Sequence, residues 1–108
     1  MNSIKPFVYS HPIQGVQVKP LTEDGKKVSI LYNGLLAQAG AGEIYLHCGT
    51  GDISNWENIS DLPMERKSNG WEKTVRLESS RQLNFCFRDG INNWDNNGGA
   101  NWAYRISG

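Results

Sequence analysis

No excess of either charge marks this chain: eleven Lys and Arg stand against eleven Asp and Glu, a formal net charge of zero over 108 residues. Proteins that grip nucleic acid draw most of their affinity from neutralising phosphates, so an even balance without a basic run argues against that partner. It argues equally against an anionic membrane surface. Long apolar runs are missing too, and nothing approaches the ~18 residues a membrane-spanning helix needs. The opening Met1-Asn2-Ser3-Ile4-Lys5-Pro6 holds no apolar segment of the secretory type. A free-standing chain is therefore expected in the cytoplasm; a module cut from a larger secreted enzyme would be extracellular. Cysteine is scarce. Cys48 and Cys86 each fall inside an expected strand and read better as two reduced thiols than as a bridge. Only His11 and His47 could join them, neither at ligand spacing, so no metal or other cofactor is expected. Also absent is any helical apolar stripe.

What remains is alternation of period two. Val16 and Val18 alternate with Gln17 and Lys19; after the turn residues Thr22-Glu23-Asp24-Gly25, Val28, Ile30 and Tyr32 alternate with Ser29, Leu31 and Asn33, which reads as a hairpin. Asn33-Gly34 and the small residues at 37–42 break the chain. In the next strand Ile44, Leu46 and Cys48 share a core face while Tyr45 and His47 point away. Residues 49–58 read as a polar loop. Trp71, Val75 and Leu77 then alternate with Glu72, Thr74, Arg76 and Glu78, and Leu83, Phe85 and Phe87 with Asn84, Cys86 and Arg88. A second polar loop, residues 89–101, precedes a strand in which Trp102, Tyr104 and Ile106 share a face. Short half-buried strands with turn-rich joints predict an all-β protein, an antiparallel β-sandwich of one domain at 15–108. Pro6 and Pro12 mark residues 1–14 as an N-terminal arm that adds at most an edge strand.

The four tryptophans divide by their neighbours. Trp71 and Trp102 share the phase of core residues. Trp56 and Trp94 each follow an asparagine in a stretch of Asp, Asn, Ser and Gly, where burial would strand backbone groups. Open indoles beside amides suit an uncharged sugar. The indole covers the C–H patch of a pyranose face, and Asn, Asp and His at its edge serve the hydroxyls as donors and acceptors. Two stacked rings with a few solvent-competed hydrogen bonds give ~5–7 kcal/mol, a dissociation constant on the order of 10 μM to 0.2 mM.

The blocks Ile44-Tyr45-Leu46-His47-Cys48-Gly49, Asn55-Trp56, Gly70-Trp71-Glu72-Lys73, Asn84-Phe85-Cys86-Phe87-Arg88-Asp89-Gly90 and Asn93-Trp94-Asp95-Asn96-Asn97-Gly98-Gly99-Ala100-Asn101, in this order, resemble the starch-binding carbohydrate-binding modules of families 25 and 53. The resemblance implies an immunoglobulin-like sandwich that binds α-1,4-glucans such as starch or glycogen without catalysis. It implies stacking by Trp56 and Trp94, polar contacts from His47, and a matching loop holding Asn93, Asp95, Asn96 and Asn101. Such modules are usually appended to amylases, so a glucan-active enzyme is a further partner it suggests. Trp102 stands where a tyrosine-like aromatic is more usual, which leaves room for an exposed edge there.

Three other readings compete. Glycoside hydrolysis needs two carboxyls ~5–9 Å apart, one in an apolar setting that raises its pKa, and Asp52, Glu57, Asp61, Asp89 and Asp95 all lie in polar stretches. The stretch 89–97 is rich in oxygen donors, but lacks the alternating carboxylates and final glutamate of the helix–loop–helix calcium motif. An immunoglobulin-like protein-interaction module would use the exposed tryptophans as hot spots on a protein partner.

Overall fold

Period-two alternation becomes strand throughout the computed structural model, which describes residues 15–77 and 82–106. The expected N-terminal arm and Glu78 lie outside the described residues. The strands are β1 (Val16–Pro20), β2 (Lys27–Tyr32), β3 (Ile44–Asp52), β4 (Asn55–Pro63), β5 (Glu65–Lys67), β6 (Gly70–Arg76), β7 (Gln82–Asp89), β8 (Trp94–Asp95) and β9 (Trp102–Arg105). They form two antiparallel sheets. One runs β1-β2-β6-β5; the other runs β4-β3-β7, with β8 and β9 both paired to the far side of β7. This is the ABED and C′CFG arrangement of an immunoglobulin-like sandwich.

The dry faces meet as the alternation requires. Val16, Val18, Val28, Ile30 and Tyr32 bury against Ile44, Leu46, Leu83, Phe85 and Phe87. Tyr32 stacks on Phe87 across the interface, with centroids 4.0 Å apart. Two tyrosine hydroxyls pin one sheet to the other: Tyr104 donates to the Gly25 carbonyl in the β1–β2 turn (2.6 Å), and Tyr32 donates to Asp95 on β8 (2.6 Å). Neither phenol is stranded.

Four expectations are corrected. The break at 33–42 contains a one-turn helix, α1 (Leu35–Gln38), whose Leu36 amide donates to the Tyr32 hydroxyl. Residues 49–58 are hairpin rather than loop, because Asp52 accepts from the Ser54 amide (2.8 Å) and hydroxyl (2.6 Å) and folds β3 straight back into β4. The supposedly wet face of β7 is dry at Asn84 and Cys86. Asn84 is sealed in because its amide donates to the Gly51 carbonyl (3.0 Å) and accepts from Gln82 (2.8 Å). Finally, Trp102 shows no open edge; it is 3% exposed, packed against Phe85 and Phe87. Cys48 and Cys86 are both free. Cys48 lies beside Phe85 on the core face and Cys86 beside His47 on the other, so their side chains leave the sheet in opposite directions.

Candidate functional site

The outer face of the second sheet carries the polar chemistry. Pairing aligns Asp61, His47 and Cys86 across β4, β3 and β7, and in the next row Pro63, Tyr45, Arg88 and Trp94 across β4, β3, β7 and β8. Trp94 therefore reaches this face by plain register. Trp56 does not. Counting back from Asp61 by twos, the residues on its face would be 59, 57 and 55, and Trp56 would point the other way. The register shift beyond Cys48 cancels this: Cys48 pairs with Ser60 but Thr50 with Glu57, so Asn58 and Ile59 together oppose Gly49. Asn58 takes the left-handed conformation (φ 54°) that lets the chain bulge, and the phase flips by one. The indole of Trp56 then lies on the His47 side, against Gly49, where an added Cβ would stand 2.9 Å from Trp56 Cβ and 3.2 Å from Cε3.

His47 becomes the centre of an aromatic trio. Its ring centroid is 5.8 Å from that of Trp56 at an interplanar angle of 35°, and 5.0 Å from that of Trp94 at 88°. Tilts so different against one shared ring mean that the two indole planes are far from parallel. Both indole N–H groups are occupied: Trp56 Nε1 donates to the Ile53 carbonyl (2.7 Å) and Trp94 Nε1 to Asn92 Oδ1 (3.1 Å). The rings are held in orientation by their edges; Trp94 is 46% exposed, whereas Trp56, expected to lie open, is half-buried and packs in part against the core, leaving only its outer side as contact surface. Between them opens a shallow groove of about 460 Å³ lined also by Asn55, Ile59, Asn96 and Asn101.

Charge at the groove is paired off. Asp61 Oδ1 accepts from His47 Nδ1 (2.8 Å) and Arg88 Nε (3.2 Å), and the Arg88 guanidinium lies 4.3 Å from the Tyr45 ring centroid. Partial burial pushes the Asp61 carboxyl up, but the two hydrogen bonds and the neighbouring positive groups outweigh it, and its pKa falls below 3.8. An ionised carboxylate only accepts, so Nδ1 carries a proton and the other nitrogen, Nε2, has no partner among the described residues. Beside His47, burial pushes the Cys86 thiol up to about 12.

The Asn/Asp run serves mostly to shape the loop. Asp89 accepts from the amides of Ile91 (3.0 Å) and Asn93 (2.8 Å) and from Asn93 Nδ2 (2.8 Å). Asn93, expected at the sugar, thus has its amide nitrogen committed to bracing. Asp95, also expected there, is buried on the opposite side of β8, where it accepts from Tyr32 and, at 3.4 Å, from the Asn97 amide. Asn96 lines the groove while its Oδ1 caps the short 3-10 turn at Asn97–Gly99. Asn101 lines the groove with a side chain that makes no hydrogen bond among the described residues. Of the seven expected residues, the structure gathers His47, Trp56, Trp94, Asn96 and Asn101 at one groove and leaves Asn93 and Asp95 outside its lining. Among the described residues no three His, Cys, Asp or Glu side chains gather as metal ligands.

A family profile described as a starch/carbohydrate-binding module (family 53) matches residues 28–85. That is more than half of the chain. The chain belongs to the family 53 starch/carbohydrate-binding modules. It is also similar to an α-amylase of Clostridium acetobutylicum, 42% identical over 81 residues, which is 73% of this chain and 10% of that protein. The module thus spans about a tenth of the length of this relative. No solved structure matches. The matched family segment carries His47, Trp56 and Asp61 but ends before Trp94.

Sequence reading missed Asp61, which steers His47, and Asn58, which turns Trp56 outward. The turn at Asp52 and Ser54 alone would not have found Asp61: plain register from Asp52↔Asn55 sets His47 opposite Ser60, and only the extra residue at the bulge brings Asp61 opposite His47. An asparagine four residues beyond that turn is a weak sign of the bulge, since Asn enters the left-handed region readily but need not.

Proposed function

We propose that this module binds α-1,4-glucan non-catalytically, with Trp56 and Trp94 stacking on sugar faces and His47 contacting hydroxyls between them. The observation that carries the reading is the aromatic trio, in which two edge-anchored indoles stand on either side of one imidazole. Inclined platforms suit the curved face of an α-linked chain and fit poorly against the flat ribbon of a β-linked one. Nε2 of His47, Asn96 and Asn101 supply donors and acceptors at the rim. Pairing within the groove leaves no net charge to repel or demand a charged ligand.

Catalysis has poor support. A general acid needs a carboxyl held protonated, whereas Asp61 is held ionised; a thiol nucleophile needs a low pKa, whereas that of Cys86 is raised. The module would keep a larger enzyme on its polymer, as an appendage within a protein of the α-amylase kind.

Affinity electrophoresis in gels containing amylopectin or glycogen tests the reading. The module is retarded, and Trp56→Ala and Trp94→Ala each abolish the retardation while migrating as folded protein in plain gels. Mobility unchanged by every glucan would overturn the reading in favour of a protein partner.

A further inference from the structure

A second concavity adjoins the groove, and Trp94 is the wall between them. It lies between the chain that follows α1 and the β7–β8 turn, has a volume of about 840 Å³, and is lined by Leu35, Ala39, Ala41, Glu43, Ile91 and Trp94 among others. The backbone holds it open: Gly40 and Gly42 on its rim have nothing within 4 Å of where a side chain would begin. Two of its walls are unusually bare, with Leu35 73% and Ile91 82% exposed. Core packing therefore accounts for neither.

We infer that this cleft is an extension subsite, in which an α-glucan chain that crosses the His47 groove continues past Trp94 onto Leu35 and Ile91. The inference rests on the glucan reading of the groove. Continuity supports it, because the same indole, tethered by its N–H to Asn92, lines both concavities. Chemistry supports it as well. Leu35, Ala39, Ala41 and Ile91 offer apolar surface to C–H faces, and the Glu43 carboxylate, which accepts from the Tyr45 hydroxyl (3.3 Å), offers an acceptor to sugar hydroxyls. The lining holds two carboxylates, Glu43 and Asp89, and no basic side chain, which disfavours a phosphate, a nucleic acid or an anionic lipid. A short oligosaccharide would fill the groove alone; a longer one would reach the cleft, so the cleft confers a preference for chain length.

Calorimetric titration of maltotriose and maltoheptaose into the wild type and into Leu35→Ser/Ile91→Ser tests this. Both side chains are exposed, so the double variant keeps its fold, checked by its Tm. The wild type binds maltoheptaose more tightly than maltotriose, and the double variant loses about three- to tenfold for maltoheptaose while its maltotriose affinity is unchanged. Gly42→Leu, which adds bulk at the rim without a strained backbone, gives the same selective loss. Equal losses for both sugars, or no loss for maltoheptaose while Trp56→Ala abolishes binding, would overturn the subsite and leave the groove standing. Failure of the wild type to bind either sugar would sink groove and cleft together.

Discussion

Gly49 and Asp61 do as much for the groove as the residues that line it. The Trp56 side chain occupies the space that a side chain at position 49 would take, and Gly49 supplies that gap. Gly49→Ala would set its Cβ 2.9 Å from Trp56 Cβ and 3.0 Å from the Glu57 carbonyl, so it displaces β4 as well as the ring; it should lower the Tm and weaken glucan binding by about three- to tenfold, read by thermal melting and calorimetry. Asp61 works through His47. Replacing it with Ala frees the imidazole and leaves Arg88 with its carbonyl partner at Asp89 and its contact with Tyr45. The expected outcome of Asp61→Ala is again a several-fold loss of affinity, with a small stability change because the ion pair is partly exposed. Unaltered maltoheptaose affinity in that variant would remove Asp61 from the site.

At the scale of elements, the β3–β4 hairpin decides which face Trp56 joins, and its bulge is the deciding feature. Asn58 sits at φ 54°, a conformation that glycine adopts freely and a β-branched residue does not. Asn58→Gly should retain both fold and binding, whereas Asn58→Val should cost about 1–2 kcal/mol of stability and disturb the orientation of Trp56. The same element shows what the sequence reveals and what it hides. Alternation exposed β1, β2, β6 and β7 because one face of each is apolar. It missed β4, where Trp56, Leu62 and little else interrupt a polar run and no burial pattern marks a face. The Asn-rich run had two explanations at the sequence level, ligand contact and loop bracing. The structure assigns left-handed conformations to Asn92, Asn97 and Asn101 and a hydrogen-bonded brace to Asn93, so most of that signal was backbone geometry. The tryptophan–histidine trio was legible as a set of residues, but its convergence depended on a one-residue register shift that composition cannot show.

Across the whole molecule, the buried apolar core dominates stability, and sheet-to-sheet hydrogen bonds and hydrogen-bonded carboxylates modulate it. Tyr104→Phe strands the Gly25 carbonyl in the interior and should cost about 1–2 kcal/mol, seen as a lower denaturation midpoint without loss of sugar binding. Hydrogen bonds from Thr22, Ser54 and Asn93 hold Asp24, Asp52 and Asp89 below their ordinary 3.8; at Asp61 burial opposes the shift and the bonds from His47 and Arg88 prevail. A depressed folded-state pKa gives stabilisation that is fully present above the unfolded value and is lost as pH falls through the folded one. The Tm should therefore be insensitive to these groups above about pH 5 and fall progressively below about pH 4; a Tm that rises on acidification would contradict this. Of the four tryptophans, Trp71 and Trp102 are buried in the core, and Trp56 and Trp94 are the two proposed to meet sugar. Nuclear magnetic resonance of their indole N–H signals during a maltoheptaose titration separates them directly. The signals of Trp56 and Trp94 should move together and saturate, while those of Trp71 and Trp102 stay in place. Saturable shifts at Trp71 or Trp102 with Trp56 and Trp94 unmoved would contradict the account.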